Sequence, residues 1–294
     1  MKFTCWISRG CIGVVLCLSL SVQTFGQFEN IPITPFALGG STVAASLGSE
    51  SVLQNPAGLL SVADYQVDLG YSDSFSAVQS GWLSIGKRVL DNTVVNIALP
   101  ITMVQQDTTI ENGIGQAEVV GGFQDVQAAA ILTIASEVRP GITLGVNGKY
   151  DMHSINDEQT SGFALDAGIQ YHNEFARLGA VVRNVGGKTN TWSTGRTESI
   201  PMQIGLGAQV FLPFGVTALG SVELMDDTRV IGLGVLGQLS QYLSFSGGIA
   251  DAGVSNNWRM GMALDLSGFI LKYAVSVHED LGVAHRFGLC FTTL

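Results

Sequence analysis

Charge is scarce in this sequence: Asp, Glu, Lys and Arg make up 13% of its 294 residues, about half the share of an average soluble domain. That composition argues against an ordinary cytosolic protein. Proline is also rare, at 7 residues, and the 37 glycines follow no every-third-residue repeat, which excludes collagen and low-complexity linkers. Basic residues number 14 against 24 acidic ones, a net charge of −10, and form no cluster of the kind a phosphate backbone demands. Nucleic acid is not an expected partner.

Cysteine is confined almost entirely to the N-terminus. Residues 1–26 read as a secretory signal peptide: Lys2 and Arg9 precede an apolar run from Cys11 through Val22, and Thr24 and Gly26 supply a small-residue end before cleavage at Gln27. A membrane-anchoring helix needs about 20 apolar residues, and this run has about a dozen. Cys17 sits in the middle of the run behind Val14, Val15 and Leu16, so a lipoprotein is set aside. Removal of the leader takes Cys5, Cys11 and Cys17 and leaves Cys290 alone, so neither a disulfide nor a cysteine metal site is expected. Without Lys2 and Arg9, 12 basic residues face 24 acidic ones, a net charge of −12.

Long hydrophobic runs are missing as well. Mean hydropathy is +0.34, yet beyond the leader no stretch approaches the ~18 apolar residues of a spanning helix. The apolar residues alternate instead. Phe163, Leu165, Ala167, Ile169 and Tyr171 share one parity, and Gly162, Ala164, Asp166, Gly168 and Gln170 share the other. Successive strand residues point to opposite faces, so this is one greasy face and one small or polar face. The pattern recurs at Ile142/Leu144/Val146, Leu178/Ala180/Val182, Met202/Ile204/Leu206, Trp258/Met260/Met262, Leu271/Tyr273/Val275 and Phe287/Leu289/Phe291.

A secreted soluble β-sandwich alternates too, but its outward face is usually rich in charge. Here the second face is glycine, alanine, serine and glutamine with scattered charges. That arrangement suits an all-β, closed antiparallel transmembrane barrel, whose apolar side meets outer-membrane lipid and whose small or polar side lines the lumen. Strands are expected at 63–71, 77–86, 93–101, 124–136, 141–151, 161–171, 175–184, 200–211, 214–223, 230–238, 242–250, 258–266, 269–277 and 284–293. That makes fourteen, with twelve as the alternative; the least regular are 77–86, where parity slips at Trp82 and Leu83, and 230–238. Asp226-Asp227, Pro213 and Gly268 mark tight turns, while 102–123, 152–160 and 185–199 read as long polar loops on the extracellular side.

Residues 27–60 precede the first strand, and the barrel proper is expected over 61–294. Within the lead-in, 36–60 does not alternate: it is small and glycine-rich, then weakly helical, then stops at Asn55-Pro56. It is either a periplasmic lead-in or a plug folded into the lumen. Ala37-Leu38-Gly39-Gly40 and Asn55-Pro56-Ala57-Gly58-Leu59 resemble the opening of the PorV/PorQ family and the related FadL-like outer-membrane barrels. Gly162–Gly168, Arg177–Gly186, Leu271–Ala274 and His285–Leu289 are similar as well, in the same order along the chain. The resemblance implies a fourteen-stranded barrel with its N-terminal stretch inside.

Two roles follow from it: a scaffold or docking subunit of a type IX-like protein secretion system, with secretion proteins or exported cargo as partners, or a FadL-like channel for hydrophobic small molecules, in which a kinked wall strand opens a lateral exit. The scaffold is the leading expectation.

No chemistry of catalysis is visible. Gly232-x-Gly234-x-x-Gly237 matches a dinucleotide fingerprint, but it lies within an alternating strand rather than at a strand-to-helix turn. His153, His172, His278 and His285 are scattered, no Gly-x-Ser-x-Gly elbow occurs, and Cys290 has no adjacent base. No enzyme activity, metal or cofactor is expected. The charges on the lumen parity are Lys149, Asp151, Asp166, Arg177, Arg183, Glu223, Arg259, Asp265, Lys272 and Arg286. Because unpaired charge in a narrow barrel is costly, they should brace the wall as a salt-bridge network or form a substrate-selecting ring.

Overall fold

Alternation at period 2 forces strands, and strands with two differently solvated faces and no covering layer must close on themselves. The computed structural model describes residues 32–111, 117–251, 257–278 and 282–293. The expected leader 1–26 lies outside them. Fourteen strands form one closed antiparallel barrel: β1 (Tyr65–Ser74), β2 (Val78–Leu90), β3 (Thr93–Glu111), β4 (Ala117–Arg139), β5 (Ile142–Ile155), β6 (Glu158–His172), β7 (Ala176–Arg183), β10 (Gln203–Leu212), β11 (Val216–Met225), β12 (Thr228–Gln238), β13 (Leu243–Ala250), β14 (Asn257–Asp265), β15 (Phe269–His278) and β16 (Gly282–Thr292). A separate hairpin, β8 (Lys188–Thr191) and β9 (Thr197–Ile200), interrupts the order between β7 and β10. First and last strands pair from Gln66–Thr292 to Ser74–Ala284, so the wall has no free edge. Closure excludes the sandwich alternative and settles the count at fourteen.

The greasy parity points outward: Phe163 is 79% exposed and Leu165 62%, while Asp166 on the other parity is 3% exposed. Ile97, Leu132, Val146, Leu206, Met260 and Phe287 continue this exposed apolar belt around the wall. The slip expected near Trp82 is not a register fault. Ser80, Trp82 and Ser84 all point inward, and the strand pairs continuously with both neighbours there. An aromatic side chain on the inner face mimics a parity change in the sequence.

Two loop expectations are corrected. Residues 102–111 and 117–123 are strand rather than loop, 112–116 lying outside the described residues: β3 and β4 stay paired to Glu111–Ala117, whereas β2 stops opposite Val104 and β5 opposite Asp125. The hairpin therefore runs about seven residues past its neighbours, roughly 20 Å. Residues 152–160 likewise are strand except for a two-residue turn at Asn156 and Asp157, Asn156 being left-handed at φ +49°. The end of β3 at Glu111, the start of β4 at Ala117 and the β5–β6 turn share one end of the barrel with the β7–β10 connection. Asp226-Asp227 also lies at this long-loop end, whereas Pro213 and Gly268 sit in turns of the opposite rim.

Residues 32–62 run inside. A short helix α1 (Ile33–Ala37) is followed by two 3-10 turns, Gly48–Ser51 and Pro56–Ser61. Asn55-Pro56 begins a helical turn rather than ending one. The Asn55 side chain accepts the Ala57 N–H at 3.1 Å and proline takes the first helical position, where its missing N–H costs nothing.

Candidate functional site

The inner segment reaches the wall because the wall is bare where they meet. A Cβ on Gly145 would collide with Pro56 and Ala57, on Gly168 with Asn55, on Gly179 with Val43 and Ala44, and on Gly248 with Leu38 and Gly39. Gly232 and Gly234, two members of the apparent dinucleotide fingerprint, make room for Gly39 and for Leu38 and Ser41. Gly39 and Gly40 are both left-handed (φ +66° and +76°), which explains the glycine pair after Ala37-Leu38. Ala37, Leu38, Ala57 and Leu59 are all buried, and Gly58 packs against Ala45 and Ser51 of the segment itself.

Polar anchors hold the segment on most sides. Glu50 is the only charged residue between 32 and 62. Its Oε1 accepts the N–H groups of Ile33 (3.0 Å) and Thr34 (3.3 Å), and its Oε2 meets Lys272 Nζ at 2.8 Å. Lys272 also reaches Asp68 Oδ1 at 3.3 Å, and Asp68 Oδ2 accepts Gln66 Nε2 at 2.6 Å. Burial opposes ionisation of Glu50, but the Lys272 charge and these hydrogen bonds outweigh it and hold the carboxyl below its ordinary value.

Opposite, Arg183 donates from Nε and Nη2 to the Gln54 carbonyl (3.2 and 2.7 Å) and from Nη1 to Glu223 Oε2 (3.0 Å). Lys149 bridges Asp166 Oδ1 (2.7 Å) and Asn184 Oδ1 (3.0 Å), while Asn147 Nδ2 donates to the Val52 carbonyl and to Asp166. Asn55 Nδ2 and Gln170 Nε2 donate to the carbonyls of Val43 and Ala45, at 2.8 and 2.9 Å. The Phe36 ring lies under the guanidinium groups of Arg259 (4.5 Å) and Arg286 (3.9 Å), a cation–π contact. At the short-turn rim, Arg88 donates to the carbonyls of Leu60, Val62, Ala63 and Asp91, tying the end of the segment to the start of the wall.

Seven of the ten charges singled out by parity thus meet the segment or brace the wall beside it. Asp151 is buried on the inner face, and Arg177 is half-buried near the short-turn rim. Asp265 does not join the network: its Oδ1 accepts the Gly268 N–H at 3.1 Å and caps the β14–β15 turn. Sequence reasoning passed over Glu50, Asp68 and Asn147. Glu50 carried a signal, since a lone carboxylate in a small apolar stretch requires a cation.

One quadrant is different. Asn96 Nδ2 donates to Ser49 Oγ (3.0 Å) on β3, and the next anchor is Asn147 on β5. Around Asn96 and Thr133 the contact is otherwise apolar: Val52, Leu53, Leu59 and Val62 pack with Trp82, Val94, Ala98, Ala129, Ile131 and Ala135. In the same quadrant the ladder is weakened rather than interrupted. The β3–β4 pairing runs to Ala98–Ile131 and resumes in the same register at Ile101–Ala128, with no paired bridge at Leu99 and Pro100. Proline has no N–H to donate to a ladder. The side chains around this stretch are small on β4, Ala128, Ala129 and Ala130.

No protein-family profile and no curated protein matches the sequence. Solved structures do. The toluene transporter TodX of Pseudomonas putida superposes with a TM-score of 0.66 at 12% identity, over 87% of this chain and 95% of that one. The monoaromatic hydrocarbon channel CymD gives 0.60 at 11% identity, over 90% and 97%. A Pseudomonas aeruginosa FadL homologue gives 0.60 at 10%, over 89% and 97%. What these likenesses show is the fold, a closed antiparallel barrel of the kind those proteins have.

Proposed function

We propose that the chain is a non-enzymatic outer-membrane conduit that passes hydrophobic small molecules through its lumen and sideways into the acyl layer. The reading is carried by one coincidence: the most apolar part of the contact between segment and wall lies against the stretch of β3 where the β3–β4 ladder lacks its bridges at Leu99 and Pro100. A molecule moving there displaces mainly van der Waals contacts, and Pro100 has no N–H to donate to the adjoining strand. The exposed apolar belt supports an exit that opens toward lipid, and the expected leader would supply export. The structural neighbours, whose names include toluene and monoaromatic hydrocarbons, support this substrate class. No feature among the described residues supports the secretion scaffold that the PorV/PorQ resemblance implied, and that role gives way to the conduit.

Uptake of radiolabelled toluene by cells exporting the protein tests the proposal. Wild type should exceed empty cells. Pro100→Val, which restores a donor to β3, should cut the excess by about fivefold, the worth of one hydrogen bond. Uptake equal to empty cells, with a correctly folded barrel by heat-dependent gel mobility, would overturn it.

A further inference from the structure

Trp82 is the bulky member of a row of inner-face residues. Its register partners are Gly70 on β1 and Pro100 on β3, both small or flat, and Gly70 in turn pairs with Gly288 on β16. One inward step toward the long-loop end, the row is Ser72, Ser80 and Thr102. Ser80 and Thr102 satisfy each other, with their hydroxyls 3.1 Å apart. Trp82 Nε1 and Ser72 Oγ do not: neither finds a partner among the described residues, although the two side chains belong to residues only 3% and 2% exposed. Buried polar atoms in native proteins are overwhelmingly paired, and leaving one orphaned costs free energy.

The two orphans are diagonal neighbours across one strand pair. The Cδ1 atom of Trp82, bonded directly to Nε1, stands 3.7 Å from where a Cβ of Gly70 would be. The polar edge of the indole therefore leans over the glycine of the strand that carries Ser72. An indole N–H can only donate, and a serine hydroxyl can donate beside it. Their shared complement is an acceptor atom that needs no hydrogen of its own. On the side of Trp82 the surroundings are apolar: Ile33 lies over Gly70 and Trp82 belongs to the cluster with Val52, Leu53 and Leu59, whereas Ser72 has Arg286 as its register partner on β16.

We infer that Trp82 and Ser72 form a polar station on the hydrophobic path, recognising the oxygen of an otherwise apolar molecule such as an aromatic ether, ketone or ester. This rests on the conduit reading and narrows its substrate class: an oxygen-bearing guest relieves both orphans, whereas a hydrocarbon of the same shape leaves them unpaired. Sites built to hydrogen-bond a guest discriminate against analogues lacking the group.

Anisole and ethylbenzene, which differ by an ether oxygen in place of a methylene, are the matched probes. In cells exporting the protein, the anisole-to-ethylbenzene uptake ratio should exceed that of empty cells and fall about fivefold in Trp82→Phe, the loss of one hydrogen bond. Ser72→Ala, a smaller change that keeps the packing, should lower the same ratio. Independently, the 15N-labelled indole N–H of Trp82 in detergent, assigned by its disappearance in Trp82→Phe, should shift with anisole and not with ethylbenzene. A selective shift without uptake of either probe would uphold the station and overturn the conduit. Uptake of both probes at a ratio the substitutions leave unchanged, with no selective shift, would overturn the station and leave the conduit standing. Neither uptake nor shift would overturn both.

Discussion

Lys272 of β15 and Glu50 of the inner segment meet at 2.8 Å across 222 positions of sequence, and the same carboxylate caps the N–H groups of Ile33 and Thr34. One ion pair therefore fixes both the middle of the segment and its first helix to the wall.

Removing Glu50 leaves Lys272 with Asp68 alone, at 3.3 Å, and takes the acceptor from the N–H groups of Ile33 and Thr34. Glu50→Ala should lower stability by about 3 kcal/mol, the low end for breaking a buried pair, read from the urea midpoint of the detergent-solubilised barrel. The pair also predicts an acid response. Glu50 is held below its ordinary value, near 4.3 for an unperturbed glutamate, so its stabilisation is complete above that value and disappears as pH falls through the lower folded one. The thermal midpoint of wild type should hold between about pH 7 and 5 and drop below about pH 4. In Glu50→Gln that acid-side drop should be smaller; an unchanged profile would show that the pair is not ionised.

The close approach of glycine and segment predicts a steric contrast. Gly248→Ala would drive a Cβ into the backbone of Leu38 and Gly39, and overpacking of this kind costs about 1–3 kcal/mol. Gly237→Ala meets nothing within 4 Å and should stay within about 0.5 kcal/mol of wild type. Equal midpoints for the two variants would contradict the seating of the segment. Increased protease cleavage between residues 32 and 62 in Gly248→Ala alone would support it.

The outward belt predicts a cost in lipid. Leu165, 62% exposed and central in β6, should destabilise the barrel by about 2–4 kcal/mol when changed to Arg, as charge at the bilayer midplane does. Folding yield into phospholipid vesicles measures it. A yield equal to wild type would place this face in water.

Most of the wall was legible. Phe163 through Tyr171 announce their orientation because a strand facing lipid on one side and a crowded lumen on the other must alternate. The extension of β3 to Glu111 and of β4 from Ala117 was not, because polar residues such as Gln105, Gln106 and Asp107 break the alternation that marks the wall. Trp82 misled for a related reason: bulk marks the lipid face almost everywhere else, so an inward tryptophan reads as a fault in register. Asp265 shared the parity of Arg259 but lies at a strand end, where a turn N–H takes its carboxylate. Glu50 was visible as a residue and invisible as an anchor, since nothing near it in sequence carries a positive charge.

The sequence by itself determined an all-β chain with an oily and a small-residue face, because side-chain alternation is a local consequence of strand geometry and solvent. Only the tertiary structure decided where residues 32–62 run, which charges meet, and which part of the β3–β4 ladder the apolar contact lies against. Those depend on closure, which sets the register of every strand at once and brings together groups that no local pattern connects.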